Sequence, residues 1–291
     1  MKSRFTAIIL CAAFMLAYNS CTDHQIPEES QWRVKSLTRT LPDNPGINFI
    51  SRFSYGPEGK ITSIFTYQTP DSISSPTEKS VYQYDNSGNL LQMERTLSSS
   101  QSERYVYNYD PSGRVSSISY TGAPNDFYDM TFTYDGSGKL KTSKRSFHFF
   151  SAFSFDQQNT YSFSYENLSS VNSKTTFFKA IPQTSEVNTI FVYDGHKNPF
   201  YGNFIIPAPV KIASPITGNF GHYTYYGGVD NLFHLSKNNL VSSNIKGLSQ
   251  TNYVYTYHVS GMPASRITLH KAMLDQPEVL QETLYYEYEK Y

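Results

Sequence analysis

The 291-residue chain has two cysteines and one tryptophan. One of the cysteines, Cys11, lies inside an apolar N-terminal run, so the remainder of the chain holds Cys21 alone and has no internal disulfide available. Charge is scarce as well. Only 16% of residues are charged, with 24 basic side chains against 24 acidic ones. There is neither a basic surplus nor a cluster of five or more Lys and Arg, and this excludes the counterion-displacing surface that a nucleic-acid partner requires. Catalytic signatures are missing too. The sequence shows no Gly-x-Ser-x-Gly elbow, no Walker loop, no dinucleotide fingerprint and no pair of histidines at zinc-site spacing. The expectation is a protein that is not an enzyme and holds no metal or cofactor. His222, His234, His258 and His270 are scattered, and only their convergence in space would give them chemistry.

What is present begins with an export address. Lys2 and Arg4 precede an apolar stretch from Phe5 to Ala17, too short for a permanent transmembrane helix of about 20 residues. Residues 1–20 read as a signal peptide. The junction Tyr18-Asn19-Ser20-Cys21 resembles a bacterial lipobox, with Tyr18 where such sequences usually carry Leu. The resemblance implies lipidation of Cys21 and attachment to a membrane through that lipid. Residues 21–35 follow as a polar tether in which Asp23, Glu28 and Glu29 are similar to the surface-export signal of Bacteroidetes-type lipoproteins. The expected location is therefore the outer membrane, with display at the cell surface as the further step.

The body, residues 36–291, is aromatic and repetitive. Twenty-five Tyr and 20 Phe make up nearly all of the 16% aromatic content, a mixture that favours strands. Tyr84-Asp85-Asn86-Ser87-Gly88 recurs as Tyr109-Asp110-Pro111-Ser112-Gly113 and as Tyr134-Asp135-Gly136-Ser137-Gly138. Looser copies start at Tyr55, Tyr165, Tyr193 and Tyr257, and successive copies lie 25 to 31 residues apart except for one long gap. Each unit reads as a hairpin loop: Asp accepts from amides two residues on, and Gly supplies the left-handed residue that closes the turn. That role accounts for the repeated Asp better than a ladder of cation ligands does. Aromatics alternate ahead of each turn. Behind it Ile61, Leu90, Val115 and Leu140 sit two residues after the glycine, and Ile64, Met93 and Ile118 follow three residues later. A three-residue step does not fit a flat strand and predicts a bulge. Residues 198–247 interrupt the pattern with four prolines and six glycines, and residues 229–240 there allow a short helix.

The Tyr-Asp-x-x-Gly unit resembles the YD repeat of Rhs-type proteins, and small YD-repeat-like lipoproteins of Bacteroidetes are the group it is most similar to. With the periodicity, this leads to an all-β fold of consecutive antiparallel hairpins forming one long twisted or curled sheet. The expected function is a non-enzymatic binding or interaction module of the cell envelope, with a glycan or a protein as ligand. The alternatives are a polysaccharide hydrolase and a purely structural envelope component.

Overall fold

The computed structural model describes residues 31–97, 102–122, 127–150, 153–178, 181–202 and 231–291. It is all-β and antiparallel. The strands are β1 (Trp32–Thr40), β2 (Asn48–Tyr55), β3 (Ile61–Thr69), β4 (Glu78–Tyr84), β5 (Leu90–Leu97), β6 (Ser102–Tyr109), β7 (Val115–Thr121) and β8 (Phe127–Tyr134), then β9 (Leu140–Phe150), β10 (Phe153–Ser164), β11 (Asn167–Phe178), β12 (Gln183–Lys197), β13 (Asn238–Ile245), β14 (Ser249–Tyr257), β15 (Pro263–Lys271) and β16 (Val279–Lys290). Each strand pairs with its neighbours in sequence, and β1 pairs with β16, so the sheet closes into a 16-strand barrel. The long twisted or curled open sheet is thereby corrected. The physical reason lies in the alternation. A sheet whose inward positions are aromatic and aliphatic along β3 to β8 leaves that face bare unless it curls onto itself, and closure also removes two unpaired edges. Side chains tie the seam, with Ser36 Oγ donating to Glu287 Oε2 at 2.6 Å and Arg39 Nε to Glu282 Oε2 at 2.7 Å.

The body runs from Val34 to Tyr288; among the described residues, 31–33 and Glu289–Tyr291 form a separate small unit. Within that unit Arg33 pairs with Glu289 at 2.7 Å, and the Lys290 ammonium lies 5.0 Å from the centre of the Trp32 ring.

Wall geometry follows from the repeat. Register shifts occur between Ser54 and Tyr55, Gln83 and Tyr84, Asn108 and Tyr109, Thr133 and Tyr134, and Thr256 and Tyr257. In the second of these, Gln83 faces Gln92 while Tyr84 faces Leu90, which leaves Leu91 as the extra residue. This bulge is the three-residue step. It turns both Leu90 and Met93 inward, and the same device buries Ile61 with Ile64 and Val115 with Ile118. The outward positions are mixed: Phe65 on β3, Ile190 and Val192 on β12, Val254 on β14, Ile267 on β15 and Tyr285 on β16 are exposed, while the stretch from β5 to β11 is the more polar. Glu94, Arg104, Asp129, Lys144 and Lys174 stand exposed on β5, β6, β8, β9 and β11, among Ser, Thr, Asn and Gln.

A barrel of 16 strands is too wide for its own wall residues to fill unaided. Here chain from the irregular stretch enters the lumen. Residues 198–202 and a 3-10 turn at Asn231–Leu235 bring in Phe200, Leu232 and His234, all buried. The Phe200 ring lies 6.0 Å from that of Phe53 on β2, although β2 stands six strands away from β12 around the wall. That contact crosses the lumen. The irregular stretch is therefore a plug where it is described, and the short helix expected at 229–240 is this five-residue turn.

Candidate functional site

The repeated turns all lie on one rim of the barrel, at the ends of β2, β4, β6 and β8. In the last three, the Asp carboxylate accepts two backbone amides: Asp85 from Ser87 and Asn89 at 2.8 Å, Asp110 from Ser112 and Arg114 at 2.9 and 3.0 Å, Asp135 from Ser137 and Lys139 at the same two distances. These bonds hold all three carboxyls below the usual value of 3.8. The leading causes are the Asn89 side chain for Asp85, the Arg114 amide for Asp110 and the Ser137 hydroxyl for Asp135. Gly88, Gly113 and Gly138 close the turns at φ of 81°, 77° and 83°.

The tyrosine that opens each turn has a role no sequence pattern discloses. Tyr55 Oη donates to Val34 O at 2.5 Å, Tyr84 to Ile61 O at 2.8 Å, Tyr109 to Leu90 O at 2.8 Å and Tyr134 to Val115 O at 2.7 Å. Tyr288 completes the series on Pro263 O at 2.8 Å. The hydroxyls of Tyr84, Tyr109, Tyr134 and Tyr288 thus each reach back to the carbonyl of the residue that begins the strand β3, β5, β7 or β15, and that of Tyr55 to the third residue of β1. Burial pushes Tyr84 and Tyr134 up to about 12. Tyr257 departs from the rule: its hydroxyl donates to Asp194, and the His196 ring stacks on it at 3.8 Å.

Where the residue after the glycine is Lys or Arg, it leans over the next ring. Lys60 Nζ lies 5.7 Å from the Tyr84 centroid, the Arg114 guanidinium 4.8 Å from that of Tyr134, and Lys139 Nζ 5.8 Å from that of Phe163. Lys60 also pairs with Glu58 at 2.9 Å and Arg114 with Asp110 at 2.8 Å. Between these turns and the plug lies a cavity of about 650 Å³. Its floor is aliphatic, made of Ile61, Leu90, Val115 and Leu140, and its far wall is Tyr201, Gly202, His234 and Leu235.

Of the residues singled out in the sequence, Tyr84, Gly88, Tyr109, Gly113, Tyr134 and Gly138 line this cavity, while Asp85, Asp110 and Asp135 stay in the turns behind it. Cys21 lies outside the described residues. The cations were missed. Their signal was the variable Lys, Arg or Asn that follows each glycine. The histidines do not converge: His234 is buried in the plug, His258 sits edge-on to Tyr288 at 5.8 Å, His270 contacts Thr251 at 3.1 Å, and His222 lies outside the described residues. Among the described residues no group of three or more His, Cys, Asp and Glu is placed to hold a metal ion.

No family model and no curated protein matches the chain. Among solved structures it is similar to a porin-like protein from Bacteroides uniformis, at 13% identity and a TM-score of 0.55, over 87% of this chain and 96% of that one. A porin-like protein from Bacteroides vulgatus aligns at 10% identity and a TM-score of 0.37, over 89% of this chain and 99% of that one. The first likeness shows a shared barrel fold. It also corrects the YD-repeat resemblance. The Tyr-Asp-x-x-Gly unit is rim chemistry, a turn, a bulge and a hydroxyl tie that a closing antiparallel wall uses at every second connection, and it does not mark an open YD-repeat sheet.

Proposed function

We propose that this chain is an outer-membrane-associated, non-enzymatic binding module: a plugged barrel tethered through lipid on Cys21, with the rim cavity as its ligand site. The observation that carries the reading is the wall itself. A barrel embedded in lipid presents an apolar band outward and a polar lumen, and each Arg or Lys facing the bilayer midplane costs about 2–4 kcal/mol. Over β6 to β11 charged side chains stand where lipid would lie, with Arg104, Lys144 and Lys174 exposed outside, while Ile190, Val192, Val254, Ile267 and Tyr285 make the outer face of β12 to β16 more apolar. The lumen is occupied by Phe200 and Leu232, which disfavours an open channel. Attachment through an N-terminal lipid reconciles an envelope location with charged side chains on the outer wall.

Fractionation tests this directly. Wild-type protein is expected to pellet with membranes and to carry an acylated Cys21 by intact mass. Cys21→Ser is expected to be released as a folded, detergent-independent barrel. A Cys21→Ser variant that still needs detergent would place the wall in lipid and overturn the reading.

A glycan ligand has its own observation, on the outer wall rather than the rim. Phe65 and Tyr67 stack at 5.8 Å, with the Arg52 guanidinium 5.4 Å from the Tyr67 ring. Such a platform suits a sugar face. Phe65→Ala is expected to abolish retention on a polysaccharide column if this site acts.

A further inference from the structure

We propose that the rim cavity takes an anionic amphiphile, a carboxylate or phosphate carried on an apolar chain or ring system. The proposal rests on the reading of the rim as a ligand site and names what that site selects.

Charge comes first. The cavity wall holds Lys60, Arg114 and Lys139 against one carboxylate, Glu166, and Glu166 is paired with Lys237 at 2.5 Å. The three Asp side chains of the turns are not part of the lining. They face their own amides, so the cations are what the cavity presents. Lys60 and Arg114 keep 37% of their side-chain surface exposed despite their ion pairs, and Lys139 donates to the carbonyl of Tyr165. An incoming anion therefore meets cations held in place by rings and turns, a pre-organised arrangement.

The hydrogen-bonding character of the walls decides the rest of the ligand. A sugar needs donors and acceptors around its ring. The tyrosines here offer little of that, because the hydroxyls of Tyr84, Tyr109 and Tyr134 are already bonded to Ile61, Leu90 and Val115 carbonyls. What they present is ring face. Beneath them the floor is Ile61, Leu90, Val115 and Leu140, with Phe132 beside it. Cations above an aromatic and aliphatic floor, in a cavity of about 650 Å³, match a ligand with one charged end and an apolar body.

The test is calorimetric titration of the intact mature protein with decanoate, set against acetate and octyl glucoside, all below their micelle concentrations. Decanoate is expected to bind one to one. Acetate and octyl glucoside are each expected to bind at least about tenfold more weakly. Lys60→Met with Lys139→Met is expected to weaken decanoate by about tenfold or more and leave octyl glucoside unchanged. Wild-type protein gives a second readout that needs no variant: added salt should weaken decanoate and not octyl glucoside. Phosphatidylglycerol vesicles alongside decanoate tell a membrane lipid from a free acid, and binding of either supports the class. Octyl glucoside binding as tightly as decanoate, or acetate doing so, overturns the proposal while leaving the rim a ligand site. Binding of none of the probes removes both readings.

Discussion

One turn contains its own control for the account of the rim. Asp135-Gly136-Ser137-Gly138 has two glycines, and a Cβ added at either would meet nothing within 4 Å. Packing is thus equal at the two sites and only backbone conformation differs. Gly138 sits at φ of 83°, whereas Gly136 is not in the left-handed region. Gly138→Ala acquires the left-handed strain of an L-residue, about 1–2 kcal/mol, and regains about 0.4–1 kcal/mol because the unfolded chain is less free. The net expectation is a loss of roughly 0.5–1.5 kcal/mol. Gly136→Ala keeps only the second effect and should gain about 0.4–1 kcal/mol. For a body of this size each kcal/mol moves the melting temperature by about 2–4 °C, so the two variants should melt on opposite sides of wild type. Urea unfolding at unchanged slope checks that the difference lies in stability rather than in the compactness of either state. Equal shifts for the two variants, or destabilisation by Gly136→Ala, would refute the argument that φ and not space governs these glycines.

Tyr109→Phe removes a hydroxyl bonded to Leu90 O and should destabilise by about 0.5–1.5 kcal/mol, with Tyr84→Phe and Tyr134→Phe alike; a denaturant midpoint that does not move counts against the tie. Because Tyr84 and Tyr134 are raised to about 12 from 10.0, their contribution is complete below pH 10 and is lost as pH rises through 12; phenolate absorbance should lag that of the unfolded chain over this window. The three turn carboxyls act in the other direction. Their values are lowered below 3.8, so their contribution is complete above that pH and disappears as pH falls through the folded values, and a triple Asp85→Asn, Asp110→Asn, Asp135→Asn variant should show a flatter acid limb of stability. Glu282→Gln should cost about 3–5 kcal/mol, since Glu282 accepts from the buried Arg266 at 2.6 Å and from Arg39 at 2.7 Å; adding Arg266→Met should recover part of the loss, and no recovery would disprove the pairing argument.

Local structure was legible because its causes are local. Asp110, Pro111 and Gly113 specify a turn wherever they occur, and the spacing from Val115 to Ile118 specifies a bulge on any strand. Closure was not legible, because it depends on β1 meeting β16, and Arg39 and Glu282 stand 243 residues apart with nothing in either neighbourhood pointing to the other. The same holds for the cavity. Tyr84, Tyr109 and Tyr134 were visible as turn residues, but Lys60, Arg114 and Lys139 occupy a slot where Asn89 also stands, and a slot of mixed type reads as solvent-facing until the rim is seen from inside. Among the described residues, the histidines gave no signal that the fold turned into a cluster.

Lumen width explains the composition that first set this chain apart. Sixteen strands enclose more cross-section than aliphatic side chains can span, and a barrel of this size in a porin is left to water. This barrel is filled instead, by aromatic side chains and by buried polar ones such as Ser143, Arg145, Gln157, Asn159, Ser173 and Thr175. Filling that width needs long inward side chains and material brought in from elsewhere. Tyr105 and Tyr120 pack at 4.8 Å, Phe155 and Phe177 at 5.7 Å, and Arg266 reaches across to the Phe233 and Tyr253 rings at 5.0 and 5.2 Å. Arginine and tyrosine add length, but each brings a polar end that must be paired in the interior. Glu282 serves Arg266, Glu78 and Glu103 serve Arg95, and Gln157 serves Arg145. Where paired long side chains no longer suffice, at the rim, the plug supplies Phe200 and Leu232 and the filling stops short. The cavity is what remains of the lumen between the last tyrosine of each turn and the plug, so its aromatic and cationic lining is a direct consequence of how a barrel of this width is filled.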